Sequence, residues 1–350
     1  NIGEIKLNVT PENSDVYTDS KLVGRGNMVL RLPAVRHKLT ISRQGYQSKT
    51  LEVLPKPGQQ QALSISLVTE EEAYWASRPD RITAFGDIEL SLIRPEKPFM
   101  LGAPRRQPGR RANEVERSVV LKRPFYVGVK EISNRQFKLW RTEHSSSAIS
   151  GQTLDLPGQP VGQVSWDEAA QFCNWLSQRE NLPLFYVIES GKVKDIIWSS
   201  NGYRLPTEAE WAYAAKIRPD NSTALFAWNN DLFPPQKPSG NYADTSASRL
   251  VRFFLSGYND GFPVSAPVGA FPANARGLYN LGGNVAEWVN DFYDVQSHRG
   301  DPVEDPRGPE TGVRHVIRGA SWALGSRSEL RMSYRDGGED ARLDVGFRIA

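Results

Sequence analysis

From about Phe85 to Ala350 the sequence offers three helical stretches and little else that is regular. Long segments of Gly, Pro and Asn separate them, and all but one of the chain's nine tryptophans fall here. Such text reads as loop held together by scattered aromatics, and it contains no internal repeat and no low-complexity tract. The helical signals are local and mechanical. Glu131–Trp140 offers Ser133 or Asn134 as N-cap. Ser165 stands three residues before Glu168, and Thr207 three before Glu210 directly after Pro206, two capping boxes.

The first 68 residues are different. Glu4–Val9 alternates, a Pro11-Glu12-Asn13-Ser14 turn follows, then Val16-Tyr17, the Gly24-Arg25-Gly26-Asn27 turn, Val29–Leu32, His37–Ser42 and Leu63–Leu67. Strands this short with such punctuation predict a small antiparallel sandwich. The opening Gly3-x-Ile5-x-Leu7-x-Val9, the Pro11-Glu12 pair, Val16-Tyr17 and the late Gly45-Tyr46 resemble a PEGA domain, although Asn13-Ser14 replaces the Gly-Ala of its name motif. Thr69–Pro79 breaks the strand pattern and reads as a short helix or linker between domains. The expected organisation is therefore a PEGA-like β domain at 1–68, a linker at 69–84 and a second domain at 85–350.

Composition narrows the function classes. With 43 basic and 40 acidic residues the net charge is +3, too balanced to argue for nucleic acid. The basic run Arg105–Arg111 reads as a solvated loop. Cys173 is the sole cysteine, so an internal disulfide is impossible, and its apolar helical neighbours make it a core residue. Four widely spaced histidines (His37, His144, His298, His315) speak against a zinc or three-histidine iron site. No stretch approaches the roughly 20 apolar residues of a membrane span. The chain starts at Asn1 directly in strand-like text, which leaves room for a removed signal peptide or an anchor helix.

Four further stretches carry a resemblance in family order. They are Pro160–Ala169, Tyr203–Trp211, Gly277–Trp288, and Arg318-Gly-Ala-Ser-Trp322 with the closing Gly346-Phe347-Arg348. Together they are similar to the formylglycine-generating enzyme family, also called the sulfatase-modifying-factor domain. The resemblance implies an α+β chain in which the small β-sandwich precedes an elaborated C-type-lectin-like domain with little regular secondary structure. It also implies structural calcium, one or two ions. The first set falls on Asn241, Tyr242, Asp260 and Phe262, the second on Asn280, Gly283, Val285 and Glu287. Calcium takes several hard oxygen donors, and carbonyls of an irregular loop can turn toward it. With one carboxylate each, neither set would match a charge-rich calcium loop. The alternative is that Asn280 and Glu287 satisfy buried backbone without metal.

In the family's aerobic oxidases two cysteines after the Arg-Gly-x-Ser-Trp motif bind copper(I), which requires soft thiolates. Alignment on Ser321-Trp322 places those positions at Leu324 and Glu329, and the family's intervening histidine at Gly325. Formylglycine generation by that mechanism is not expected. Another branch uses iron on a three-histidine domain that this chain lacks, so no copper, iron or zinc is expected. Serine without a base is inert, and no nucleophile–base–orienter set stands at recognisable spacing.

Each residue of the stretch also has a packing role to offer. Trp288 and Trp322 read as core aromatics, Arg318 and Arg348 as loop ties, and Ser321 as a turn residue. Arg327, Glu329 and Arg331 are least explained by folding. With Arg318, Ser321, Trp322 and Leu324 they form the candidate recognition surface. The preferred expectation is a non-catalytic binding protein of the bacterial envelope, periplasmic or exported. Its partner would be a protein, a peptide or a cell-wall component, within a secretion or envelope-assembly system. The alternatives are a periplasmic tailoring oxidoreductase whose centre the sequence does not reveal, and a purely structural spacer.

Overall fold

The computed structural model describes residues 2–228, 230–295 and 302–350. The chain divides into two compact units, 1–79 and 80–350. In the first, Ile2–Thr10 pairs antiparallel with Met28–Pro33 and parallel with Gln60–Ser66. A second sheet runs Lys21–Arg25, Asp15–Thr18, His37–Ser42, Lys49–Val53 in spatial order. The period of two puts Ile5, Leu7, Val9, Leu30 and Ile65 of one sheet and Val16, Leu39 and Ile41 of the other into one core. Gly26 turns the chain at φ +80°, where a Cβ would meet the carbonyl oxygen of Glu12 at 2.3 Å.

The stretch expected as a short helix or linker is divided between the two units. Helix α1, Glu70–Ala76, belongs to the first unit and is closed by a Thr69/Glu72 capping box. Arg81–Ala84 is a strand of the second unit, paired with Ile88–Ile93.

Among the described residues the second unit is mostly β and loop with three α-helices, α2 (Asn134–Phe137), α3 (Trp166–Arg179) and α4 (Glu208–Lys216), and a short 3-10 turn at Thr245–Ala247. All three α-helices carry complete capping boxes, on Ser133, Ser165 and Thr207. The expected helix over 131–140 is cut to one turn, Asn134–Phe137, and its start has a tertiary reason. Ile132 N–H donates to the Phe347 carbonyl and its own carbonyl accepts from Val161, so its backbone is spent on other segments. Helix α3 turns Trp166, Phe172, Cys173 and Leu176 into the largest apolar cluster. Helix α4 is buried at all nine residues, including Glu208, Glu210 and Lys216.

A four-stranded sheet in the order Arg335–Gly338, His315–Arg318, Ala286–Phe292, Val345–Phe347 lies beside α4. It brings the Arg318 motif, the Glu287-Trp288 stretch and the closing Gly346-Phe347-Arg348 together. Segments far apart in sequence thus meet at one place.

Candidate functional site

The charged residues of α4 show how this unit is built. Glu208 accepts Nη1 of Arg318 at 2.8 Å and Nε and Nη2 of Arg335 at 2.7 and 2.9 Å. Burial alone would raise its pKa, but Arg335 and Arg318 outweigh burial and hold it at about 2. Glu210 is clasped by Arg204 through two bonds of 2.6 and 2.7 Å. Lys216 donates to the carbonyls of Met100 and Gly102, and burial lowers its pKa to about 8.

The stretch that sequence reading offered as a recognition surface faces mainly inward. Arg331 is fully buried, with Nη1 and Nη2 on the two oxygens of Glu114 at 2.6 and 2.5 Å and a further bond to the Gly109 carbonyl. Arg318 is spent on Glu208 and the Met332 carbonyl. Ser321 is buried and donates to Asp344 at 2.8 Å, while Trp322 is 3 % exposed in an apolar cluster. These four are corrected from surface to scaffold. A guanidinium can enter an interior only with a counter-ion, and Glu114 and Glu208 supply one each.

Three members remain outward or half-buried. Leu324 packs partly against the cluster of Phe226, Trp228 and Tyr242. Arg327 is exposed, its guanidinium 5.8 and 5.6 Å from the ring centres of Phe226 and Phe233. Glu329 caps Ser326 through its N–H and hydroxyl and meets Arg111 at 3.3 Å.

Cys173, at 0 % exposure, has its thiol pKa pushed up by burial. His315 stacks on Trp166 at 3.6 Å, and burial lowers its pKa to about 4. His144 meets the Gly162 carbonyl, His37 meets Asp19, and His298 lies outside the described residues. Among the described residues no three His, Cys, Asp or Glu side chains converge as a metal-binding group.

Of the first set, Asn241, Asp260 and the Phe262 carbonyl lie together, whereas Tyr242 reaches Asp260 through its N–H. Nδ2 of Asn241 lies 3.1–3.4 Å from both oxygens of Asp260 and from the carbonyls of Phe262 and Val264. Its Oδ1 is buried without a partner. Asp260 also accepts the N–H groups of Tyr242 and Phe262, and burial together with nearby Asp244 raises its pKa to about 7. A side-chain amide ringed by four oxygens, with its own oxygen orphaned, suits an oxygen-seeking cation once the amide is turned.

In the second set Glu287 is committed elsewhere. Its oxygens accept Nε and Nη2 of Arg348 at 2.7 and 2.6 Å and Nε1 of Trp211 at 2.7 Å. The carboxylate that reaches Asn280 is Glu131, which sequence reading missed. Glu131 accepts Nδ2 of Asn280 at 2.8 Å, Nδ2 of Asn284 at 3.3 Å and the Val285 N–H at 3.4 Å. Burial, then the neighbouring Glu287, raises its pKa to about 8, and Oδ1 of Asn280 is orphaned. One buried carboxylate, Glu131, beside the unpaired amide oxygen of Asn280 offers oxygen donors of the kind a divalent cation takes. Gly283 joins the two sets, since a Cβ there would lie 2.6 Å from the Asn241 carbonyl oxygen.

A cavity of about 250 Å³ opens elsewhere, lined among others by Asn113, Arg117, Glu208, Phe292, Arg318 and Arg335. Its arginines 318 and 335 are the ones paired with Glu208.

Irregular loops pinned by inward arginine–carboxylate pairs, with oxygen-rich clusters between them, make up this unit. The family model described as a sulfatase-modifying factor enzyme 1-like domain matches residues 95–350, and a PEGA-domain model matches residues 2–71. The chain belongs to the sulfatase-modifying factor enzyme 1-like family and carries a PEGA domain ahead of that part. It is 34 % identical over 201 residues to a formylglycine-generating enzyme of Bos taurus, covering 56 % of this chain and 45 % of that enzyme. It is 28 % identical over 243 residues to "Chaperone protein LppX" of Paenibacillus barcinonensis, 64 % of this chain and 79 % of that one. The structure of Treponema denticola variable protein 1 superposes with a TM-score of 0.61 at 26 % identity, covering 78 % of this chain and 99 % of that chain. The chain thus spans less than half of the cattle enzyme's length.

Proposed function

We propose that this chain is a non-catalytic binding protein of the bacterial envelope, exported or periplasmic, built on a lectin-type frame of the formylglycine-generating family. One observation carries the reading. The sole thiol, Cys173, sits in the core of α3, while the positions that the family resemblance assigns to the copper thiolates hold Leu324 and Glu329. Glu329 is already engaged with Ser326 and Arg111, and a hydrocarbon and one carboxylate cannot hold copper(I). The relative that bears the name chaperone supports recognition of protein as the retained activity, and the PEGA domain supports an envelope location. Exposed Arg327 and Arg111, with half-buried Leu324 and Glu329, form the contact surface of that face for a protein, peptide or cell-wall partner.

Calcium belongs to this reading as a structural ion. Asn241, Asp260 and the Phe262 carbonyl would hold one ion, and Glu131 with Asn280 a second. Bound there, calcium would neutralise buried carboxylates and pin the loops that carry the outward face. The deciding experiment incubates the purified chain with a cysteine-bearing sulfatase peptide, copper and air. No aldehyde is expected; turnover to formylglycine would refute the proposal. Binding is read in parallel by pull-down with Arg327→Ala/Leu324→Ala, which is expected to lower recovery of the partner.

A further inference from the structure

Residues 245–259 form a closed loop whose ends are tied together. Thr245 donates through its N–H and its hydroxyl to the Tyr258 carbonyl at 3.3 and 2.9 Å, and the Asp260 N–H donates to Asp244. The Leu255 N–H donates to the Ala243 carbonyl, and Ala243 in turn donates to the Leu324 carbonyl, so the loop flanks the outward face. Its apolar residues are sorted. Ala247, Leu255 and Tyr258 are buried, and Leu250 and Val251 pack partly against the core. Phe253 and Phe254 are left outside at 72 % and 40 % exposure. A loop anchored this firmly does not expose two adjacent aromatics for want of a core.

The charge around them is one-sided. Arg249 and Arg252 are exposed, Arg252 lies 5.2 Å from the Phe253 ring centre, and no acidic residue occurs between Thr245 and Asn259. We propose that this tip docks on an anionic lipid surface. Phe253 and Phe254 enter the headgroup layer, and Arg249 and Arg252 meet lipid phosphates. Aromatic rings with flanking cations are the combination that an interface of apolar chains under anionic headgroups rewards. A second copy docking through the same tip would bring four arginines together, which like-charge repulsion opposes. The inference rests on the loop alone and is independent of what the neighbouring face binds.

The test is co-sedimentation of the full chain with vesicles of phosphatidylglycerol and phosphatidylethanolamine, against phosphatidylcholine alone. The wild type is expected to sediment with the anionic vesicles only, less so as salt is raised. Phe253→Ser/Phe254→Ser should lower partitioning by about tenfold or more, and removing each arginine as glutamine by about fivefold. All four positions are exposed, so melting temperatures should stay unchanged. As a second readout, Phe253→Cys carrying an environment-sensitive dye should shift to the blue on adding anionic vesicles, with Cys173 too buried to label. A wild type that stays in the supernatant, a double-serine variant that binds like wild type, or equal binding to phosphatidylcholine overturns the proposal. Loss of a defined protein partner in that variant, without vesicle binding by the wild type, would reassign the tip to protein docking.

Discussion

Replacing Glu208 by Gln removes one charge and almost no volume. In the native chain its carboxylate accepts three bonds from Arg318 and Arg335, with Arg117 at 3.9 Å. Arg318 is 1 % exposed, so the variant leaves it in the interior without a counter-ion. The arginines lower the carboxyl pKa from 4.5 to about 2. At about 1.36 kcal/mol per pKa unit this amounts to about 3.4 kcal/mol at neutral pH. One-sided removal of a buried pair costs about 3–5 kcal/mol on independent grounds. For a unit of this size the loss corresponds to a fall of about 7 °C or more in melting temperature. Urea unfolding read by tryptophan fluorescence measures it, and Trp211 lies directly beneath Arg318 at 5.1 Å. The pH dependence has a fixed sign. A lowered pKa gives stability that is present above pH 4.5 and lost as pH falls toward 2. The gap between wild type and Glu208→Gln should therefore be full at pH 7 and close below pH 4.5. A variant within about 1 kcal/mol of wild type at pH 7, or a deficit that persists at pH 2, refutes the reasoning.

The raised groups behave in the opposite sense. Asp260, moved from 3.8 to about 7, and Glu131, from 4.5 to about 8, favour the folded state at low pH and lose that contribution as pH rises through those values. Calcium-free protein should thus melt higher at pH 5 than at pH 8. Added calcium should raise the melting temperature most at pH 8, and an EDTA-insensitive melt there removes calcium from the account. Asp260→Asn should abolish the calcium response of the first site. Glu131→Gln should stabilise the calcium-free protein at pH 8 while reducing what calcium adds. Arg331→Ala should cost about 3–5 kcal/mol in urea unfolding, whereas Arg327→Ala should stay within about 0.5 kcal/mol; equal costs would contradict the burial of the first and the exposure of the second.

Features that act over a few residues were legible in the sequence. Ser165 with Glu168 and Thr207 with Glu210 announced α3 and α4, because a capping box is complete within four residues. Ser133, one of the two N-cap candidates, likewise announced the start of α2, where Ile132 is already paired with Val161 and Phe347. In the first unit, Lys21–Arg25 and Lys49–Val53 escaped because they are short edge strands that bury no residue fully, although Leu51 and Val53 pack partly on the core. The site divides in the same way. Asn241, Asp260 and Asn280 were found through motif resemblance. Glu131 was missed because it lies 149 residues from Asn280, and only the fold brings its carboxylate there.

The misplacement of Arg331 has a general cause. Four arginines of the motif region each bind one carboxylate and at least one backbone carbonyl. Arg318 takes Glu208 and Met332, and Arg331 takes Glu114 and Gly109. Arg335 takes Glu208 and Asn113, and Arg348 takes Glu287, Gly128 and Tyr279. A domain with few ladders must satisfy its buried carbonyls some other way, and a guanidinium offers five donors in one plane. The paired carboxylate is then needed to hold the charge inside. Dense arginine in such a fold is therefore a mark of loops being tied, and it does not by itself indicate an anionic ligand. Outward chemistry falls to side chains this frame leaves exposed, among them Arg327 and the Phe253-Phe254 tip.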